Sequence, residues 1–252
     1  MFPELLRIGD FQITSFGAMV AASFLVAFWV SGMEFERKGI SRRLHEHVFL
    51  ACLVGGVLGA KLLFLIENIP LSDLLSYPKH YLLLRGGLTF YGGFFLALLA
   101  FFVVIKKHKE SFWKVLDASA PALAIAYATG RIGCFLVGDD YGIASDLPWA
   151  MPFPKGSPPT LEAVHPTQLY ETITMSLVFV VLWKIRKKEK PAGWLAGIYL
   201  VLAGLERFSV EFIRNTTESP ISGLSIAQIM ALFLILAGVL KYISVRKRDE
   251  AS

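Results

Sequence analysis

Four cations of this chain stand inside or at the end of long apolar stretches, where a charge is energetically costly. They are Lys61, Arg131, Arg207 and Arg214. A cation in such a place normally faces a protein interior or a water-filled cavity, and it marks a functional site unless its side chain snorkels to a polar boundary. Guanidinium binds phosphate well, because it offers planar paired donors and keeps its charge when buried. Arg131 and Arg207 therefore indicate a site for an anionic phospholipid.

Both arginines are accompanied by residues that can shape such a site. Arg131 stands between two glycines, in a stretch that continues to two aspartates. Arg207, Glu211 and Arg214 recur at positions i, i+4 and i+7, which would place them on one face of a helix. Glu211 can hold either arginine by a charge-assisted pair. The alternative is a structural cluster that neutralises its own charge and binds no ligand.

Polar residues before another apolar block add to the candidates. His165 precedes Pro166, and Gln168 and Glu171 follow it. Because Gln168 and Glu171 are three residues apart, they share a helical face and suit either helix capping or the lining of a pocket. His165 is either the residue before a helix start at Pro166 or a recruited base.

The composition predicts that a membrane surrounds these residues. The chain has 252 residues, of which 55% are apolar and 18% charged, whereas a soluble domain has about a quarter charged residues. The formal charge of +5 does not indicate nucleic-acid binding, since the cations fall in short groups between apolar blocks. Cys52 and Cys134 both lie in apolar stretches, so neither a disulfide framework nor a metal site is predicted.

Seven apolar blocks come close to the length of about 20 residues that crosses a bilayer. We therefore predict an all-α, polytopic integral membrane protein with about seven transmembrane helices in a single domain, residues 1–252. Segments 67–85 and 139–167 are predicted to lie outside. The first block is interpreted as a retained span and not as a signal peptide, because Arg7 is the one cation before it and no small-residue cleavage site follows. The predicted spans are 13–33, 47–66, 86–105, 117–138, 168–183, 194–214 and 223–243.

Lysines and arginines in the connections predict the orientation, because cations are retained on the cytoplasmic side. Seventeen of the 25 fall after the first, third and fifth spans and in the C-terminal tail, whereas four fall on the opposite side. This bias predicts that the N-terminus is outside and the C-terminus is cytoplasmic. Arg131 and Arg207 would then lie toward the outer leaflet.

At these residues the chain resembles the prolipoprotein diacylglyceryl transferase family, in order and spacing and over nearly its whole length. That family has seven transmembrane helices in the same orientation. Four motifs carry the resemblance: GGLTFYGG at 86–93, GRIGCFLVGDDYG at 130–142, HPTQLYE at 165–171 and RFSVEFIR at 207–214.

The resemblance implies an enzyme of lipoprotein biosynthesis in the bacterial inner membrane. It would transfer an sn-1,2-diacylglyceryl group from phosphatidylglycerol to the lipobox cysteine of a lipoprotein precursor and release glycerol phosphate. It would need no cofactor and no metal, and it would not bind nucleic acid. We expect Arg131, Arg207 and Tyr91 to be catalytic. The expected substrate-binding residues are Gly92, Gly93, Gly133, Cys134, Asp139, Gly142, His165, Gln168, Glu171, Glu211 and Arg214.

Three positions depart from the family pattern. Tyr91 stands where a histidine is common, Cys134 where an asparagine is common, and Phe16 where a tyrosine is often found. A tyrosine with a pKa near 10 is a poor base at neutral pH, so Tyr91 is expected to donate a hydrogen bond to the lipid. The base is left open between His165 and an acid such as Glu171. These departures keep the alternative of a diverged relative that modifies another acceptor. Because intramembrane cations can line a pathway, a non-enzymatic phospholipid binder or transporter is a further alternative.

Overall fold

The computed structural model describes residues 2, 4–8, 11–83, 87–215 and 223–249. Gly86, the first glycine of the 86–93 motif, and Arg85 lie outside the described residues. The described part of the chain is predominantly helical, as predicted. Its helices are α1 Ser15–Arg37, α2 Arg42–Asn68, α3 Leu71–Ser76, α4 Pro78–Leu83, α5 Phe90–Lys107, α6 Phe112–Val137, α7 Thr167–Ile185, α8 Trp194–Val210 and α9 Ile226–Asp249.

Six helices within the described ranges are long and apolar enough to cross a membrane. They are α1, α2, α5, α6, α7 and α9, and each coincides with a predicted span. The sixth predicted span, 194–214, is occupied by α8, which has 17 residues and ends at Val210. Glu211 to Arg214 thus lie beyond the regular helix. The predicted helical face holds for Arg207 and Glu211, which pair at positions i and i+4, and is corrected for Arg214. In that segment the carbonyl of Ile213 accepts a hydrogen bond from the N–H of Ile143, at 3.0 Å.

Two short antiparallel strand pairs were not predicted. They are β1 Glu4–Ile8 with β2 Phe11–Thr14, and β3 Met151–Phe153 with β4 Thr160–Val164. Strands this short show too little alternation of apolar and polar residues to be recognised. The second pair belongs to the segment predicted to lie outside, and it packs around Tyr141, Phe153 and Val164.

The chain divides into two compact units, Met1–Glu34 with Leu116–Ser252, and Phe35–Val115. In the second unit, α2 and α5 are joined by a close seam of glycines. A Cβ added to Gly59 would lie 2.2 Å from the carbonyl oxygen of Gly92, and one added to Gly93 would lie 2.8 Å from that of Gly56. Such small residues let two helix backbones approach closely in a membrane.

In the first unit, small residues of α6 pack against α7 and α8. Ala120, Ala124 and Ala128 form a buried cluster with Met175 and Leu182, among others. A buried carboxylate, Asp117, holds the start of α8: it accepts hydrogen bonds from the backbone N–H groups of Gly193 and Ala196, at 2.9 and 2.7 Å. These contacts orient the helix that carries Arg207.

Candidate active site

Arg131 is buried near the C-terminal end of α6 and is held by acidic groups on two sides. One terminal nitrogen, NH2, lies 2.7 Å from Oε1 of Glu171 in α7, and the other, NH1, lies 2.8 Å from Oδ2 of Asp140. Its Nε donates to the Tyr127 hydroxyl at 3.3 Å, and NH1 donates to Cys134 Sγ at 3.6 Å. The guanidinium is therefore fixed in one orientation by helices α6 and α7 and the following loop.

Arg207 reaches the same carboxylate from α8. Its NH1 lies 3.6 Å from Glu171 Oε1, and its NH2 lies 2.7 Å from Glu211 Oε2. Glu211 therefore pairs with Arg207, which is one of the two pairings that the spacing allowed. Glu171 itself is fully buried, and Tyr127 donates its hydroxyl to the same oxygen at 2.8 Å.

Buried atoms of this cluster are left without hydrogen-bond partners. They are Arg207 NH1, Glu171 Oε2, Glu206 Oε1, Gln168 Oε1 and Asp139 Oδ1. A buried polar atom without a hydrogen bond costs about 1–3 kcal/mol, so a set of them at one place calls for a polar partner such as a bound ligand. Arg207 NH1 offers a donor, which an anionic oxygen can satisfy.

Asp140 joins Arg131 to the third arginine of the cluster. Its Oδ1 pairs with Arg214 and its Oδ2 with Arg131. Burial raises the pKa of Asp140, but the guanidiniums of Arg214 and Arg131 outweigh it and hold this pKa below its ordinary value. The residue has a φ of 59°, a left-handed conformation that aspartate tolerates better than most side chains. Beside it, burial holds the pKa of Asp139 above its ordinary value.

The loop after α6 is tied to the start of α7 and to the segment after α8. Gly142 donates its N–H to the carbonyl of His165 at 2.8 Å, and its backbone pairs with that of Arg214. A Cβ on Gly142 would lie 2.3 Å from the carbonyl oxygen of Ile213, so only glycine fits this crossing. Gly142 thereby brings the Arg214 segment next to Asp140.

The remaining residues predicted in this unit line the same region or support it. Gln168 is fully buried and donates to the carbonyl of Asp139. The His165 ring lies 3.2 Å from the Tyr170 hydroxyl, which also accepts from Trp149 Nε1 at 2.7 Å. Helix α7 begins at Thr167, one residue after the predicted start at Pro166, which is its N-cap.

Gly133 allows α1 to approach α6. A Cβ there would lie 2.9 Å from Cβ of Met19 and 3.5 Å from Cα of Phe16. Phe16 is one of the three residues that depart from the family pattern, and it is 40% exposed. A second departure, Cys134, is buried against Arg131.

Tyr91, Gly92 and Gly93 belong to the other compact unit, where they lie in the first turn of α5. Gly92 and Gly93 form part of the seam with α2, while Tyr91 is half-buried and packs edge-on against Phe90. Close helix packing accounts for both glycines. A contact of these three residues with substrate stays a prediction.

Three members of the cluster were missed by sequence reasoning. Tyr127 lies four residues before Arg131, a spacing that would have placed it on the same helical face. Asp140 is part of the motif at 130–142, but its neighbour Asp139 was the one predicted to bind substrate. Glu206 precedes Arg207 directly, and its position in an apolar helix was the available signal.

One group of residues has the donor atoms of a metal site. The atoms of Cys134, Asp139 and Asp140 lie within 4.8 Å of one another. However, both oxygens of Asp140 already pair with Arg131 and Arg214. The local positive charge is supplied by guanidinium groups, so this trio does not suit a further cation.

Comparisons with known proteins identify the family that this chain matches. Residues 3–244 match the protein family described as prolipoprotein diacylglyceryl transferase. A phosphatidylglycerol–prolipoprotein diacylglyceryl transferase of Clostridium tetani is 33% identical, over 95% of this chain and 96% of its own length. Proteins of the same name from Pseudomonas paraeruginosa and Methylobacillus flagellatus are each 31% identical, over 99% and 97% of this chain and 95% and 97% of their own lengths.

Proposed function

The chain belongs to the prolipoprotein diacylglyceryl transferase family, and from this premise we propose that its arginine–carboxylate cluster is where the family's reaction takes place. The protein is a transferase of lipoprotein biosynthesis: it moves a diacylglyceryl group from phosphatidylglycerol to a prolipoprotein and releases glycerol phosphate. The acceptor atom in this proposal is the thiol sulfur of the lipobox cysteine. Arg131 and Arg207 bind the phosphate of the donor.

The observation that carries the proposal is the arrangement of the two guanidiniums around one oxygen. Arg131 NH2 and Arg207 NH1 both lie within 3.6 Å of Glu171 Oε1, and Arg207 NH1 is buried without a hydrogen-bond acceptor. Two guanidiniums this close can bind two oxygens of one phosphate group. Glu171, Glu211 and Asp140 hold them in place before the lipid arrives.

The reaction replaces a carbon–oxygen bond by a carbon–sulfur bond. The thiolate attacks the terminal glyceryl carbon, the bond from that carbon to the phosphate oxygen breaks, and the electron pair goes to the departing phosphate. Positive groups fixed where negative charge develops stabilise such a transition state. In this proposal the two arginines take that role, and no metal or cofactor takes part.

We also propose how the chain lies in the membrane. Helix α8 serves as a seventh span together with the six longer helices, in a single domain of residues 1–252 in the bacterial inner membrane. The cation bias of seventeen against four supports an external N-terminus and a cytoplasmic C-terminus. Residues 67–85 and 139–167 are then external, and the arginine–carboxylate cluster lies toward the outer leaflet, the side on which secreted lipoprotein precursors arrive.

Mass spectrometry of a lipobox peptide, incubated with the purified protein and phosphatidylglycerol, tests the proposal directly. The wild-type protein should add a diacylglyceryl group to the cysteine, and Arg131→Ala or Arg207→Ala should abolish this conversion. Arg42→Ala is the matched control, because the side chain of Arg42 is 88% exposed, and it should leave conversion unchanged. Full activity of both site variants would overturn the roles of the arginines, and an inactive wild-type protein would contradict the acceptor and donor.

A further inference from the structure

Glu206 is a buried carboxyl group of the cluster that the reaction described above does not use. It lies in α8 directly before Arg207 and is 8% exposed. Its carboxyl group interacts electrostatically with Glu171, Arg131, Arg207 and Arg214. Despite these neighbours, its buried Oε1 has no hydrogen-bond partner.

The charges around Glu206 already balance without it. Three guanidiniums, those of Arg131, Arg207 and Arg214, pair directly with the three carboxylates of Glu171, Glu211 and Asp140. Within the described part of the chain, no lysine or arginine nitrogen forms an ion pair with Glu206. A fourth carboxylate would therefore be a buried charge without a counterion beside Glu171, which is unfavourable.

A neutral carboxyl group fits the same place. It carries one O–H donor, which can serve an oxygen of a bound ligand, and it adds no negative charge next to an incoming phosphate. The ligand's phosphate is expected where Arg131 and Arg207 meet at Glu171, and these are the groups whose charges act on Glu206. The other polar groups that interact with Glu206 are the hydroxyls of Tyr127 and Tyr199, and neither is an acid at neutral pH.

We infer that Glu206 is a further catalytic residue of this chain, a general acid that protonates the phosphate oxygen leaving from the glyceryl carbon. This inference rests on the proposed function. As the carbon–oxygen bond breaks, the Glu206 proton moves to the departing oxygen, so glycerol phosphate leaves as a monoanion and Glu206 becomes a carboxylate. The proton that the acceptor thiol loses passes to water, and Glu206 regains one proton from water, so the protons balance over the cycle.

The acidity of the Glu206 carboxyl group suits the protonation of the departing phosphate. A phosphate monoester dianion takes up a proton to become a monoanion with a pKa near 6, and a carboxyl group can supply this proton. General acids of this kind contribute typically about 10²–10⁴-fold to a rate. Glu206 would supply this proton from within the site, whereas Arg131 and Arg207 supply charge alone.

Substitution of Glu206 by glutamine tests the inference, since glutamine keeps the size and a donor but has no acidic proton. We expect Glu206→Gln to lower kcat by about 100-fold or more and to leave the KM for phosphatidylglycerol unchanged. Glu206→Asp should retain part of the activity. Glu162→Gln, in an exposed part of β4, is the matched control and should behave like the wild-type protein.

Chemical rescue distinguishes a general-acid role of Glu206 from a purely structural role. Glu206→Ala should regain activity when formic acid is added, and sodium chloride at the same concentration should have no effect. A Glu206→Gln enzyme with wild-type kcat would overturn the inference, as would a loss confined to KM or a Glu206→Ala enzyme that formic acid does not rescue. If Glu206→Gln is fully active while Arg131→Ala is inactive, the inference fails and the proposed function stands.

Discussion

The glycine seam between α2 and α5 and the arginine–carboxylate cluster between α6, α7 and α8 hold helices together by different means. In the seam, backbones touch, and a Cβ on Gly59 would meet the carbonyl oxygen of Gly92. In the cluster, side chains bridge the helices, and Glu171 binds groups from α6 and α8 at one oxygen. Close packing tolerates no added atom, whereas a charge network tolerates no missing partner. The seam should therefore be sensitive to substitutions that add atoms, and the cluster to substitutions that remove a charge.

The largest effect is expected where the network loses its central charge. Glu171→Gln leaves Arg131 and Arg207 without their shared counterion. Breaking a buried ion pair by removing one partner costs about 3–5 kcal/mol, and displaced guanidiniums should lower activity by about 100-fold or more. Transfer to a lipobox peptide and thermal unfolding in detergent measure the two effects.

An exposed ion pair provides the control for this substitution. Glu46 pairs with Arg42 at 3.1 Å, four residues away on the surface of α2. Exposed pairs contribute about 0–1 kcal/mol, so Glu46→Gln should change neither activity nor unfolding measurably. If Glu171→Gln also changes neither activity nor unfolding, the charges of the cluster do not hold these helices together.

A smaller effect is expected from adding one methyl group to the seam. Gly59→Ala would place a Cβ 2.2 Å from the Gly92 carbonyl oxygen, so the helices must shift. Overpacking of this kind costs about 1–3 kcal/mol and should lower the unfolding temperature in detergent. Gly56→Ala is the matched control: nothing lies within 4 Å of its added Cβ, and alanine favours a helix. Equal melting of both variants would contradict the close approach at Gly59.

The smallest effect is expected at the edge of the network, at Asp140. Its side chain is 41% exposed, so solvent screens its pairs with Arg131 and Arg214 and their contribution is about 1 kcal/mol. Because its pKa is lower in the folded protein, this stabilisation is present above the ordinary aspartate pKa and is lost as the pH falls through the folded value. Asp140→Asn, which also tolerates the left-handed backbone, should be less stable at neutral pH. The difference from wild type should disappear in acid, and a pH-independent difference would contradict the pairing.

Much of the scaffold could be predicted from local sequence. Six of the predicted spans are helices of sufficient length and apolarity, because about 20 apolar residues in sequence are enough to specify such an element. The three arginines of the cluster were also recognisable, since a charge in an apolar stretch needs an explanation wherever the chain folds. The four motifs identified the family, to which the chain belongs.

The pairing within the cluster could not be predicted, because it depends on which helices become neighbours. Arg131 and Glu171 are 40 residues apart in sequence, and their pairing requires α6 and α7 to pack side by side. The close approach of Gly142 to Ile213, just past the end of α8, could not be predicted either, because it joins segments about 70 residues apart in sequence. The role of the seam glycines likewise could not be predicted, because it depends on the close approach of another helix backbone.

By itself, the sequence determined which segments are apolar, which charges they contain and which family they belong to, since these are properties of residue types and their order. The tertiary structure decided how these charges pair: Glu171 holds two arginines, Asp140 holds Arg131 and Arg214, and Glu206 has no ionic partner among the described residues. Electrostatic energy depends on distances of a few ångströms and on burial. Both are set only when helices distant in sequence have packed.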